Sequence, residues 1–67
     1  MAYEKKNFKV DDRVTFVKIE GDLAGLTGTV LAHMPTHSIT DDYIVGFDTP
    51  VSGQKAIVIT EACLEVA

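Results

Sequence analysis

Residues 20 to 28 read Glu20-Gly21-Asp22-Leu23-Ala24-Gly25-Leu26-Thr27-Gly28, with three glycines within eight positions. No helix of ordinary length tolerates that much backbone freedom, so the stretch is a tight loop. What flanks it is extended. Upstream, Arg13 to Ile19 is β-branched and aromatic, with Val14 and Phe16 on one face and Thr15, Val17 and Ile19 on the other. Downstream, Thr27 to Met34 alternates Thr29, Leu31 and His33 against Val30, Ala32 and Met34 until Pro35 withdraws a donor.

The same reading carries to both ends of the chain. Pro35 to Asp42 is a polar connector, and Tyr43 to Asp48 is a third strand with Tyr43, Val45 and Phe47 on one face. Gly46 marks a bulge or a close backbone approach. Pro50 and Gly53 supply the turn into a fourth strand, Lys55 to Thr60. Thr60 to Cys63 suits one helical turn with Thr60 as its N-cap, and Leu64 to Val66 makes a short fifth strand. Five short strands and one helical turn predict an all-β fold, a small, strongly bent five-stranded antiparallel barrel of SH3-like kind. Residues 1 to 7 are polar and patternless and read as a flexible tail, leaving residues 8 to 67 as the one domain. The core is expected to draw on Val14, Phe16, Val30, Ile44, Phe47, Ile57, Ile59 and Leu64.

Composition narrows the function. The chain has 67 residues, 46% of them hydrophobic and 24% charged, and folding at this size hides only about 60% of the unfolded surface, too little for a deep enzyme cleft. Its net charge is -4, the wrong sign for general phosphate binding. The imbalance is local: residues 1 to 18 hold five cations, whereas Lys55 alone faces seven carboxylates in residues 19 to 67. Cys63 has no second cysteine to pair with, as is usual in a reducing cytosol. With no long apolar run and no signal peptide, the reading is of a cytoplasmic protein that does not enter a membrane.

The strand Val14 to Phe16 followed by Gly21-Asp22-Leu23-Ala24-Gly25-Leu26-Thr27-Gly28-Thr29-Val30 resembles the KOW motif of small SH3-like barrels. Such barrels form the C-terminal domain of NusG-type transcription elongation factors and occur in some ribosomal proteins. The family form, Gly-x-hydrophobic-x-Gly-hydrophobic-x-Gly-x-Val, is met by Gly21, Leu23, Gly25, Leu26, Gly28 and Val30, and Asp22 lies within it. The ending from Ile57 to Val66 is similar to the family's closing strand, single helical turn and last strand. Asp11-Asp12 stands where the family has Gly-Asp before the first strand, and the stretch from Val14 to Gly21 is about two residues longer than in elongation factors. The resemblance implies work in or around the transcription and translation machinery.

Catalytic and metal chemistry find little footing. His33 and His37 are spaced like helical zinc ligands, but Pro35 between them prevents that helix. Asp11-Asp12 and Asp41-Asp42 are neighbours in extended chain and point to opposite sides. Cys63 reads as a packed cysteine, and Gly21 to Gly28 lacks the lysine and following helix of a phosphate loop. No cofactor is implied and the chain is not expected to be an enzyme. The leading expectation is a non-catalytic protein-interaction module, an adaptor or inhibitor binding through Leu23, Leu26, Ile39 and Tyr43. Its acidic surface suits a basic protein partner, and a virus-encoded origin fits its size. The alternative is RNA or single-strand binding through Lys5, Lys6, Lys9, Arg13 and Lys18, with Phe16 or Tyr43 as a stacking surface.

Overall fold

The computed structural model describes residues 5–67. It is all-β. Strands β1 (Arg13–Phe16), β2 (Thr27–Met34), β3 (Asp42–Val51), β4 (Gln54–Thr60) and β5 (Leu64–Val66) form one antiparallel sheet in the order β4-β3-β2-β1-β5. Two single 3-10 turns, Gly21–Leu23 and Glu61–Cys63, complete it. The ladder stops at β4 on one side and β5 on the other, so the sheet is not closed into the expected barrel. Lys6 ties the second 3-10 turn to β3: its backbone N–H donates to the Glu61 carboxylate (2.5 Å) and its C=O accepts from the Tyr43 hydroxyl (2.9 Å). Residues 1 to 4 of the expected tail lie outside the described residues.

One face of the sheet is the core. Phe8, Val14, Phe16, Val30, Tyr43, Val45, Ile59 and Leu64 are buried together, with Ile19, Phe47, Ile57 and Cys63 packed against them. The alternation of β3 places Tyr43 and Val45 inside, so Ile44 points outward and not into the core as expected. Phe8 meets the Tyr43 ring edge-on at 5.4 Å, and Phe16 packs on Phe47 at 5.7 Å.

Local irregularities set the shape, among them a register shift of β3 against β4 between Gly46 and Val51. β1 ends at Phe16, earlier than the pattern suggests, and Lys18 takes a left-handed φ of 54°; beyond it Ile19 packs against the core. In β2 the register with β3 shifts between Val30 and Ala32, a bulge at Leu31. The extra residue reverses the alternation, bringing His33 opposite Tyr43 on the inner face where an unbroken strand would put it outside. Gly28, in β2, is required by space: a Cβ there would sit 2.6 Å from the Gly46 carbonyl oxygen. Ser52 and Gly53 both have positive φ and form the two-residue turn from β3 to β4, in keeping with the twist of the strands.

Candidate protein-binding surface

The outer face of the sheet divides into a polar and an apolar half. On the polar side, Arg13 of β1 makes a two-pronged ion pair with Asp48 of β3 at 2.7 and 2.6 Å and also donates to the Thr29 hydroxyl at 2.8 Å. The pairing raises the Arg13 pKa and lowers that of Asp48. On the apolar side, Ala32, Ile44 and Val58 stand in one cross-strand row on β2, β3 and β4. The bulged Leu31 lies over Gly46, its Cδ1 3.0 Å from where a Cβ would be. Leu31 is 50% exposed and Val58 53%, and Met34 of the same face is exposed as well. Large apolar side chains adjoining one another in open solvent mark a contact surface more strongly than any one of them alone.

The residues singled out from sequence are divided among several places. Gly21 and Gly25 have φ values of 87° and 79°, the left-handed conformations of the turn between β1 and β2. Gly25 N–H donates to the Phe16 carbonyl and Leu26 N–H to that of Leu23, so the turn is bonded to β1 and within itself. Asp22 on it is exposed, Leu23 is half-buried and Leu26 exposed. Ile39 is 72% exposed but lies on the connection from β2 to β3, with the length of β2 between it and the glycine-rich turn. Tyr43 does not join an exposed patch: it is 1% exposed because its ring completes the core while its hydroxyl is bonded to backbone. Burial likewise removes both proposed stacking rings, Tyr43 and Phe16, from contact with a base.

The five cations are largely occupied. Lys5 pairs with Asp41 at 3.0 Å, the Lys6 ammonium donates to the Leu64 carbonyl at 2.8 Å, and Arg13 is held by Asp48. Lys9 and Lys18 are exposed with no side-chain partner among the described residues.

A polar knot lies at the end of the sheet where β2, β3 and β4 meet the second 3-10 turn. The Asp41 carboxylate accepts from His33 Nε2 at 2.7 Å, Lys5 Nζ at 3.0 Å and Thr36 N–H at 3.3 Å. These donors, His33 first, hold its pKa down at about 2. The ring of His33 also stacks on Tyr43 at 4.8 Å. Glu61, fully buried, accepts from the Asp41 N–H at 2.6 Å as well as from Lys6. Burial pushes the Tyr43 phenol up. Although His33 and Asp41 resemble the base and orienting acid of a hydrolase, both carboxylate oxygens hold structural donors, and no hydroxyl or thiol is bonded to His33 among the described residues. Cys63 Sγ instead faces the Lys18 carbonyl at 4.0 Å. His37 is exposed on the β2–β3 connection, and no group of three or more His, Cys, Asp or Glu converges as metal ligands among the described residues. Thr60 makes no capping bond; its hydroxyl donates to that of Thr40 at 3.2 Å.

Sequence reasoning passed over Leu31, Met34, Ile44 and Val58 as binding residues. The signal was present in the uninterrupted apolar runs Val30-Leu31-Ala32 and Ile57-Val58-Ile59, which in a strand load both faces. No family model matches this chain, and no curated protein or solved structure shows significant similarity to it. No helix among the described residues is long and apolar enough to cross a membrane.

Proposed function

We propose that this chain is a non-catalytic protein-interaction module that takes its partner on the apolar outer face of β2, β3 and β4. The observation that carries the reading is the exposure of Leu31 and Val58 around the row Ala32, Ile44 and Val58, on a sheet whose opposite face already supplies the core. Leu31, Ile44 and Val58 are the centre of the contact, and the Arg13–Asp48 pair lies on its polar side. The net charge of -4 favours a partner with a basic surface, as proteins that bind nucleic acid commonly have. The glycine-rich turn, the four-strand meander β1 to β4 with β5 returning beside β1, and the 3-10 turn before the last strand support an SH3-like, KOW-type reading of the fold. With it comes a place in transcription or translation, as adaptor or inhibitor. Leu23 and Leu26 offer a second, smaller contact at the turn.

The test is affinity capture of the tagged chain from lysate of its own cell or host, with and without nuclease. Recovery of a discrete partner that survives nuclease and is lost in Leu31→Ser supports the outer face. Loss in the Leu23→Ser, Leu26→Ser double variant alone moves the site to the turn. Recovery abolished by nuclease and by Lys9→Ala with Lys18→Ala would replace the proposal by nucleic-acid binding, whose affinity must then fall steeply with salt.

A further inference from the structure

β4 is an edge strand of seven residues, Gln54–Thr60, and its outward backbone groups have no partner among the described residues. Edges of this kind are commonly blunted by proline, by several charges, by a bulge at the rim or by brevity. β4 has no proline and carries one lysine at its start; the register of the β3–β4 ladder shifts between the pairs Gly46–Ala56 and Val51–Gln54, next to the turn, and from Ala56 to Thr60 the pairing is regular through Ile57, Val58 and Ile59. The free hydrogen-bonding groups of such a strand are satisfied by another extended strand, which identifies the shape of what covers it.

We infer that β4 pairs antiparallel with β4 of a second copy of this chain, about a two-fold axis at Val58. In that register Ala56 lies opposite Thr60, Ile57 opposite Ile59, and Val58 opposite itself, as a two-fold interface requires. None of these residues is charged, so two copies that each carry a net charge of -4 meet without setting like charges against each other. The row Ala32, Ile44, Val58 continues into Val58, Ile44, Ala32 of the second copy, so the two apolar halves fuse across the joined edges. A register centred on Ile57 would set the charged Lys55 opposite the apolar Ile59 and would break the row by placing Val58 opposite Ala56. On the core side, the half-buried Ile57 gains Ile59 of the second copy as a cross-strand neighbour. A single strand-to-strand seam is small beside a standard interface, so the association is weak and concentration-dependent. The pairing rests on the edge itself and not on the partner reading of the outer face, so the two fail separately.

Sedimentation equilibrium of the full chain tests the pairing without any variant: the mean mass rises from one chain toward two between about 1 and about 500 μM, the range of a weak interface. A single-chain mass throughout would overturn the proposal. Val58→Lys sets two cations against each other on the axis and holds the protein monomeric with its circular dichroism unchanged, whereas Leu31→Lys, two strands from the edge, leaves the dimer intact. A dimer that persists in Val58→Lys, or vanishes in a folded Leu31→Lys, counts against the edge. For the register, Val58→Cys in a Cys63→Ser background cross-links to itself under mild oxidation, since residues directly opposite have Cβ atoms about 5 Å apart, within small movement of disulfide geometry. Ala56→Cys, opposite Thr60, does not. Faster cross-linking through Ala56 would refute an axis at Val58.

Discussion

The two edges of this sheet are finished differently. β5 has three residues, includes Glu65, and is followed by Ala67, whose N–H still donates to the Arg13 carbonyl. The Lys6 ammonium covers the Leu64 carbonyl, and residues Lys6, Asn7 and Phe8 line an open hollow of about 370 Å³ with Asp12, Glu65 and Val66. β4 has seven residues, four apolar ones in succession, and a margin bare among the described residues. An edge that is short and covered by a lysine cannot readily template another strand, while a long one whose only charge stands at its start can. The contrast locates the associative side of the molecule at β4 and the outer face beside it.

The largest blow to the covered side is Glu61→Ala. It strands the buried N–H of Asp41 and the N–H of Lys6, at a cost of about 3 kcal/mol, a large part of the stability of a domain this small. Urea unfolding reads it directly, and a loss below 1 kcal/mol would mean that water reaches both donors. Gly28→Ala strikes the close approach of β2 and β3, midway between the two edges. A methyl 2.6 Å from the Gly46 oxygen must displace backbone, costing about 2 kcal/mol, and an unchanged thermal midpoint would show that β2 and β3 separate freely there.

Asp41 makes the polar knot beside the second 3-10 turn sensitive to acid. Its folded-state pKa of about 2 lies below the ordinary 3.8, so the ionised carboxylate contributes fully above the higher value and its contribution is lost as pH falls through the lower. A pH series of unfolding curves between those values should therefore fall more steeply in the natural chain than in Asp41→Asn; parallel curves would remove Asp41 as the cause. Lys6→Ala uncovers the Leu64 carbonyl at about 1 kcal/mol, and sharpens the comparison if it also raises self-association by freeing β5. Val58→Thr on the bare side is the mildest change. It shifts stability by no more than about 0.5 kcal/mol because the side chain is half in water, and a larger loss would mean that Val58 belongs to the core.

Much of the fold was legible in local chemistry. Pro35 ends β2 nearly where pairing stops, Gly21 and Gly25 adopt the positive φ values that their spacing suggested, and the period-two pattern of β1 placed Val14 and Phe16 correctly, whereas on β3 the expected core took Ile44 in place of Tyr43 and Val45. The binding surface was harder to read. Tyr43 looked like a surface aromatic because it opens a strand, but a tyrosine is satisfied inside once its hydroxyl finds backbone partners, and those come from Lys6 and Phe8, over 30 residues away in sequence. Ile44 and Tyr43 are adjacent apolar residues on opposite faces, and periodicity says only that one of them is outside.

The order of extended and tight segments was determined by the sequence alone, because proline, glycine and β-branched residues act on their own dihedrals and need no distant partner. Whether the sheet closes, which edge is covered, and where His33 points were decided only by tertiary structure. Those outcomes turn on one extra residue at Leu31 and on hydrogen bonds joining Lys6 to Glu61 and Lys5 to Asp41 across most of the chain, and no local pattern records a bond whose two ends are that far apart.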